Sequence, residues 1–260
     1  MKMKAVKVIF KSLILLVLVS SCTDPYINLI PNTTEEIDGA DKKLWILQNR
    51  RYANSGIDLY NETTGIIEAE LDLPSGIESA HALAYDGEFL WLGGIGENES
   101  LYKLDPETGD VISEIPNIRT EGIAVKGDYL YYSVYETNTI KKITKGGNLI
   151  ETITPTNINS SHSIPDIAID GNDLYYLRYL TFTETEPVVK LNLSSKEETL
   201  ISLDGSIDTY CLTIFNSEIV GVGLTNNINR FNKFVGSFIS SNPTHEDSRN
   251  AWITAIAPYY

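Results

Sequence analysis

The sequence predicts an all-β fold, a five-bladed β-propeller closed by pairing the C-terminal strand into the N-terminal blade. Three observations carry that prediction: a recurring strand–turn–strand unit, a period in the forties, and termini that are incomplete in complementary ways. The unit is clearest in ALAYDGEFLWLGG, Ala82 to Gly94. It recurs as GIAVKGDYLYYSV (Gly122 to Val134), DIAIDGNDLYYLR (Asp166 to Arg178) and, more faintly, CLTIFNSEIVGVG (Cys211 to Gly223). Aligning the first strands puts Ala84, Ala124, Ala168 and Thr213 in register at spacings of 40, 44 and 45 residues. Units of that length with four short strands each are propeller blades.

Each unit supplies its remaining strands. After the first hairpin come SLYKL, the turn Asp105 to Gly109, and DVISEI; the second continues with TIKKIT and NLIETI, the third with PVVKLNL and EETLISL. Apolar and polar residues alternate, and Gly or Asx marks the turns, as half-buried antiparallel strands require. At the N-terminal end, KKLWILQNR matches a second strand, with Leu44 in the place of Leu90, yet no first strand precedes it. At the C-terminal end, AWITAIAPYY matches a first strand, with Ala255 standing 42 residues after Thr213. One blade shared between the termini and four continuous blades make five. A six-bladed ring would need about forty further residues that the chain does not supply.

The first residues read as a separate segment. Lys2, Lys4, Lys7 and Lys11 precede an apolar run, Leu13 to Val19, too short to span a bilayer. Residues 1–21 are therefore expected to be a signal peptide. The sequence Val19-Ser20-Ser21-Cys22 resembles the lipobox of bacterial lipoproteins. That resemblance implies an acylated Cys22 at the mature N-terminus and a place in the bacterial cell envelope. Ordinary secretion would leave Cys22 as a plain thiol. Residues 22–41 mix Pro, Asn, Thr and acids without periodicity and read as a tether, leaving 42–260 as the propeller.

Charge and cysteines narrow the partners. The formal net charge is −15, and loss of the first 21 residues would remove four lysines and no acid. Such acidity argues against nucleic acid and against a polybasic grip on lipid, so membrane contact is expected only through the anchor. The second cysteine, Cys211, falls at an apolar position and reads as a buried, inert thiol. No Cys or His cluster has zinc spacing, and neither a metal nor a cofactor is expected. GGIGENES lies between strands rather than before a helix, DGND sits on a hairpin turn, and no P-loop, G-x-S-x-G or H-E-x-x-H motif occurs.

Phrases such as LAYDGEFLW and LYKLDPETGDVI resemble bacterial propellers with NHL-like, YVTN-like or quinoprotein-like blades, many of them lipoproteins of unknown role. The resemblance covers Leu44 to Tyr260 and implies shape rather than chemistry. Trp91, Tyr131 and Tyr175 are expected to fill the gaps between blades.

Antiparallel blades send their connections alternately to two faces. The first-to-second and third-to-fourth turns are tight; the second-to-third loops and interblade links are longer and richer in reactive side chains. All three histidines, His81, His162 and His245, fall on that second face, with Glu78, Arg119, Glu121, Asp166, Asp208 and Arg249 in the links. Its loops add Arg50, Arg51, Tyr52, Glu97, Arg178 and Tyr179. One ligand pocket is expected from His81, Glu121, His162, Asp166 and Arg249, flanked by Arg178 and Tyr179.

Two functions follow. A monomeric binding module would hold a peptide, glycan or protein against the loop-rich face. An enzyme is the alternative: the five-blade count is similar to glutaminyl cyclotransferases, and streptogramin lyases use a His and a Glu near a propeller mouth. Either resemblance implies a proton carrier, for which Glu121 or His162 are the candidates. The chain lacks the cyclotransferases' Leu-Asn-Glu-Leu segment, with RTEGIAV its nearest counterpart. A quinone-dependent dehydrogenase would need a larger ring and a metal-binding carboxylate set.

Overall fold

The computed structural model describes residues 42–50, 55–75, 77, 80–94, 99–134, 136–158, 162–179, 187–204, 209–223, 226–244 and 251–260, with Arg50, Ala251 and Trp252 described by backbone alone. The expected signal peptide and tether, Cys22 included, lie outside these residues, as does Arg249. The ring belongs to the unit Asp41–Tyr260.

Its strands in chain order are β1 (Lys43–Arg50), β2 (Gly56–Asn61), β3 (Ile66–Asp72), β4 (Ala80–Tyr85), β5 (Leu90–Gly94), β6 (Ser100–Leu104), β7 (Val111–Pro116), β8 (Thr120–Lys126), β9 (Tyr129–Val134) and β10 (Thr139–Thr144). They continue as β11 (Leu149–Ile153), β12 (Ile167–Asp170), β13 (Asp173–Leu177), β14 (Val188–Asn192), β15 (Glu198–Ile201), β16 (Cys211–Phe215), β17 (Glu218–Val222), β18 (Asn227–Asn232), β19 (Phe238–Pro243) and β20 (Ala251–Pro258). These form five four-stranded antiparallel sheets, and the last strand joins the first three in the order β20-β1-β2-β3. The other blades are β4 to β7, β8 to β11, β12 to β15 and β16 to β19. The innermost strands touch in the cycle β20, β4, β8, β12, β16 and back to β20. Five blades closed through the C-terminal strand is the predicted architecture.

Burial explains the composition of each strand. Inner strands are pressed between neighbouring blades on both sides, so β5 and β16 are nearly continuous apolar runs. Outer strands such as β7 face water and are mostly exposed. The core divides into five clusters, one per blade interface. Trp91 packs with Ile123 and Tyr132 of the next blade, Tyr131 with Ile164 and Ile167, and Tyr175 with Leu212 and Phe231. The aromatics expected between blades are therefore there. Cys211 joins Leu44 and Ile256 in the cluster that shuts the ring, and it is a buried free thiol.

One detail of closure differs from the sequence reading. Tyr85 pairs with Leu90 and Ala84 with Trp91, whereas Pro258 pairs with Leu44 and Ala257 with Trp45. Ala257, not Ala255, is thus the counterpart of Ala84. Both alanines pack toward the same blade, so a period-2 pattern alone cannot choose between them.

The tight-turn face repeats one device. Asn61, Asp105, Asn192 and Asn232 each accept two backbone N–H bonds from the residues two and three positions on. The fifth residue of each turn bonds back to the first with positive φ: Gly65, Gly109, Lys196 and Gly236. Between blades the same face is stitched by side chains. Lys145 Nζ lies 2.7 Å from Asp86, Lys233 Nζ 2.5 Å from Asp170, and Arg230 is paired with Glu62 across the closing seam.

Candidate functional site

Three residues upstream of each inner-strand alanine or threonine, the chain reaches the loop-rich rim of the axis, and there a bulge recurs. In β4, Ala82 pairs with Gly93 and Ala80 with Gly94, leaving His81 as the extra residue. In β8, Ile123 pairs with Tyr132 and Thr120 with Val134, so Glu121 and Gly122 together face Ser133. In β20, Ala255 pairs with Leu47 and Ile253 with Gln48, leaving Thr254. Before β16, the N–H groups of Tyr210 and the pairing of Cys211 both use Val222.

The bulge changes which way neighbours point. Ala80 and Leu83 pack toward the preceding blade, Ala82 and Ala84 toward the following one. Thr120 and Ile123 likewise face backward; Gly122 faces forward, where a Cβ would meet Asp166 Cα at 2.5 Å. Ile164 and Ile167 face backward, and Asp166 reaches forward to Leu212. Between these backward- and forward-facing residues stands one more in each blade. Around the axis these residues are His81, Glu121, Pro165, Tyr210 and Thr254. Bulges that re-aim a side chain in this way are frequent beside functional sites.

The electrostatics of the rim follow from partial burial. Glu121 is pushed up to about 7 because burial disfavours its charged form, with nearby Arg119 opposing. Its Oε2 is shielded from water and accepts no hydrogen bond. Arg119 is itself held by Glu136 at 2.8 Å and Glu99 at 3.6 Å. His81 is lowered by burial, so its imidazole is neutral at physiological pH. Tyr210 packs its ring 5.8 Å from that of Tyr179. Thr254 Oγ1 donates toward the carbonyls of Leu47 and Ala80, 3.5 Å each, tying two blades at the rim.

The other expected residues divide. Asp166 is 2% exposed, and its two oxygens accept the N–H groups of Ile167 and Leu212 at 2.8 Å each. Burial raises it well above the usual carboxylate range, those two bonds opposing. It clips β12 to β16 beneath the rim rather than facing a ligand. His162 is half-buried and its carbonyl accepts from Asn138 at 2.6 Å. Its neighbour Ser163 bridges to Tyr179 through paired backbone bonds, 2.7 and 3.0 Å. Arg178 donates to the Asn157 carbonyl at 3.4 Å. His81 and Glu121 thus stand in equivalent positions on touching strands, and Tyr179 reaches the rim through Tyr210.

Sequence reasoning did not single out Tyr210, although it stands three residues before the aligned Thr213, nor Thr254, whose place shows only once Ala257 replaces Ala255 as the counterpart of Ala84. It also did not anticipate a small axial cavity of about 40 Å³ toward the tight-turn end, lined by Leu83, Ala124, Ile167, Thr213, Ala257 and Tyr260 among others. None of the six expected site residues that the structure describes, His81, Glu121, His162, Asp166, Arg178 and Tyr179, lines it. Among the described residues no group of His, Cys, Asp and Glu is placed to hold a metal ion.

No family model and no curated protein sequence matches the chain. Solved structures do. A chain of the crystal structure of a nidogen/laminin complex is 10% identical, with a TM-score of 0.53, covering 84% of this chain and 98% of its own. A protein of unknown function from Bacteroides caccae is 12% identical, with a TM-score of 0.52, covering 85% and 99%. At such identity the likeness is one of fold.

Proposed function

We propose that the protein is a lipid-anchored β-propeller of the bacterial cell envelope that holds a peptide, glycan or protein ligand against its loop-rich face. The observation that carries this reading is the asymmetry of the two faces. One is made of short turns cross-linked by Asp86–Lys145, Asp170–Lys233 and Glu62–Arg230. The other gathers bulged, partly buried polar residues on a rigid ring, the usual arrangement of a binding site. A propeller also occurs in a solved protein complex, that of nidogen and laminin. The anchor rests on the lysine-rich start and Val19 to Cys22.

Capture of envelope ligands by the intact protein tests the reading. Arg178→Ala and Tyr179→Ala should weaken capture while the melting temperature stays near wild type, and Glu107→Ala on the opposite face should change neither. Capture that responds only to the tight-turn face refutes it. Incorporation of labelled palmitate, lost in Cys22→Ala, tests the anchor.

A second reading, an enzyme of the glutaminyl cyclotransferase or lyase type, is favoured by one observation: a partly buried carboxyl near neutrality suits proton transfer. Cyclisation of glutaminyl peptides, abolished by Glu121→Gln, would establish it.

A further inference from the structure

We infer that the rim at Glu121 is a seat for a primary ammonium group, so that the ligand of the loop-rich face is recognised through a free amine. The inference rests on the binding reading and gives its ligand a chemistry. Glu121 stands with Gly122 at the register shift of a β-bulge, without a partner in the strand ladder. One of its oxygens is shut away from water with no donor, an arrangement that costs stability until a donor arrives. Arg119 stands just before its strand, but that guanidinium is drawn to Glu136 and Glu99. The strand on one side contributes His81, which burial keeps neutral. The strand on the other contributes Asp166, whose oxygens are occupied by backbone amides. The rim therefore presents a carboxyl with one oxygen, Oε2, to which the protein supplies no donor.

A cation answers that need better than a neutral group. The formal net charge of −15 concentrates cations near the surface and repels carboxylates and phosphates. An ammonium carries three donors in a compact head, and its charge makes a bond to the carboxylate stronger than a neutral donor could. The aromatic pair Tyr179 and Tyr210, their rings 5.8 Å apart, belongs to the same loop-rich face. Binding would also shift Glu121 toward its ionised form and release its proton.

Two sources share this chemistry, a peptide α-amine and a lysine side chain. Calorimetry on the full chain at pH 7 with triglycine amide, N-acetyl-triglycine amide and Nα-acetyl-lysine methylamide separates them. One of the two amines should bind roughly tenfold or more tightly than the acetylated peptide. Glu121→Gln should erase that preference with circular dichroism unchanged. Should that variant misfold, wild-type titrations in buffers of different ionisation enthalpy still decide: the amine should release about half a proton at pH 7. Equal binding of free and acetylated peptides, no binding of either amine, or no proton release overturns the inference. Capture by the loop-rich face that persists without amine preference would discard the ammonium seat and leave the binding reading standing.

Discussion

Trp45, near the start of the described chain, pairs across the sheet with Ala257, near its end. That register makes the first blade from both termini, so the ring is stable only while the last strand stays seated. Covalent connection does not hold this seam; the antiparallel pairing of β1 with β20, packing and an ion network between the first and last blades do. Arg230 of β18 and Glu62, just beyond β2, are each 3% exposed and paired, and Glu218 lies 2.7 Å from the same guanidinium.

Removing Glu62 leaves Arg230 buried with half its compensation. Glu62→Ala should therefore destabilise the protein by on the order of 3 kcal/mol in urea unfolding. Pairing it with Arg230→Met should restore most of the loss, because the uncompensated charge goes too.

Gly122 is the closest approach between the second and third complete blades at the rim. An added methyl would stand 2.5 Å from Asp166 Cα and 2.8 Å from Ile167 N, both backbone atoms that cannot turn aside. Gly122→Ala should cost about 1–3 kcal/mol, read as a fall in melting temperature.

Lys196 occupies the turn position that is glycine in three equivalent turns, at φ 62°. Its side chain reaches Glu151 at 2.7 Å, but the pair is 42% and 38% exposed and contributes little. Lys196→Gly should stabilise the protein by up to about 1 kcal/mol in the same urea assay, since left-handed backbone is costly for any residue with a Cβ.

Much of this fold was legible because a propeller repeats itself. Tight turns announce themselves through Asn, Asp and Gly, and Trp91, Tyr131 and Tyr175 recur where an interblade gap must be filled. The face of His81 and Glu121 followed from counting strands. Their equivalence did not, because a bulge adds a residue without a sequence signature of its own, and it is the bulge that places both at the rim. Asp166 shows the opposite limit: an acidic residue in a link looks functional until its oxygens are found on the amides of Ile167 and Leu212. Tyr210 and Tyr179 come together only through the ring, from different blades.

Glu121 bears most directly on the account. Its folded pKa is raised, so between the ordinary value of 4.5 and about 7 the native state binds the extra proton. Stability attributable to this group is present below that window and declines as pH rises through it. Glu121→Gln should accordingly raise the melting temperature at pH 8 and leave it unchanged at pH 4. The decisive measurement is an NMR titration of the Glu121 carboxyl carbon in the intact protein. A midpoint near 7 supports a sequestered rim carboxyl waiting for a donor; a midpoint near 4.5 would mean an ordinary solvated side chain and would contradict the site.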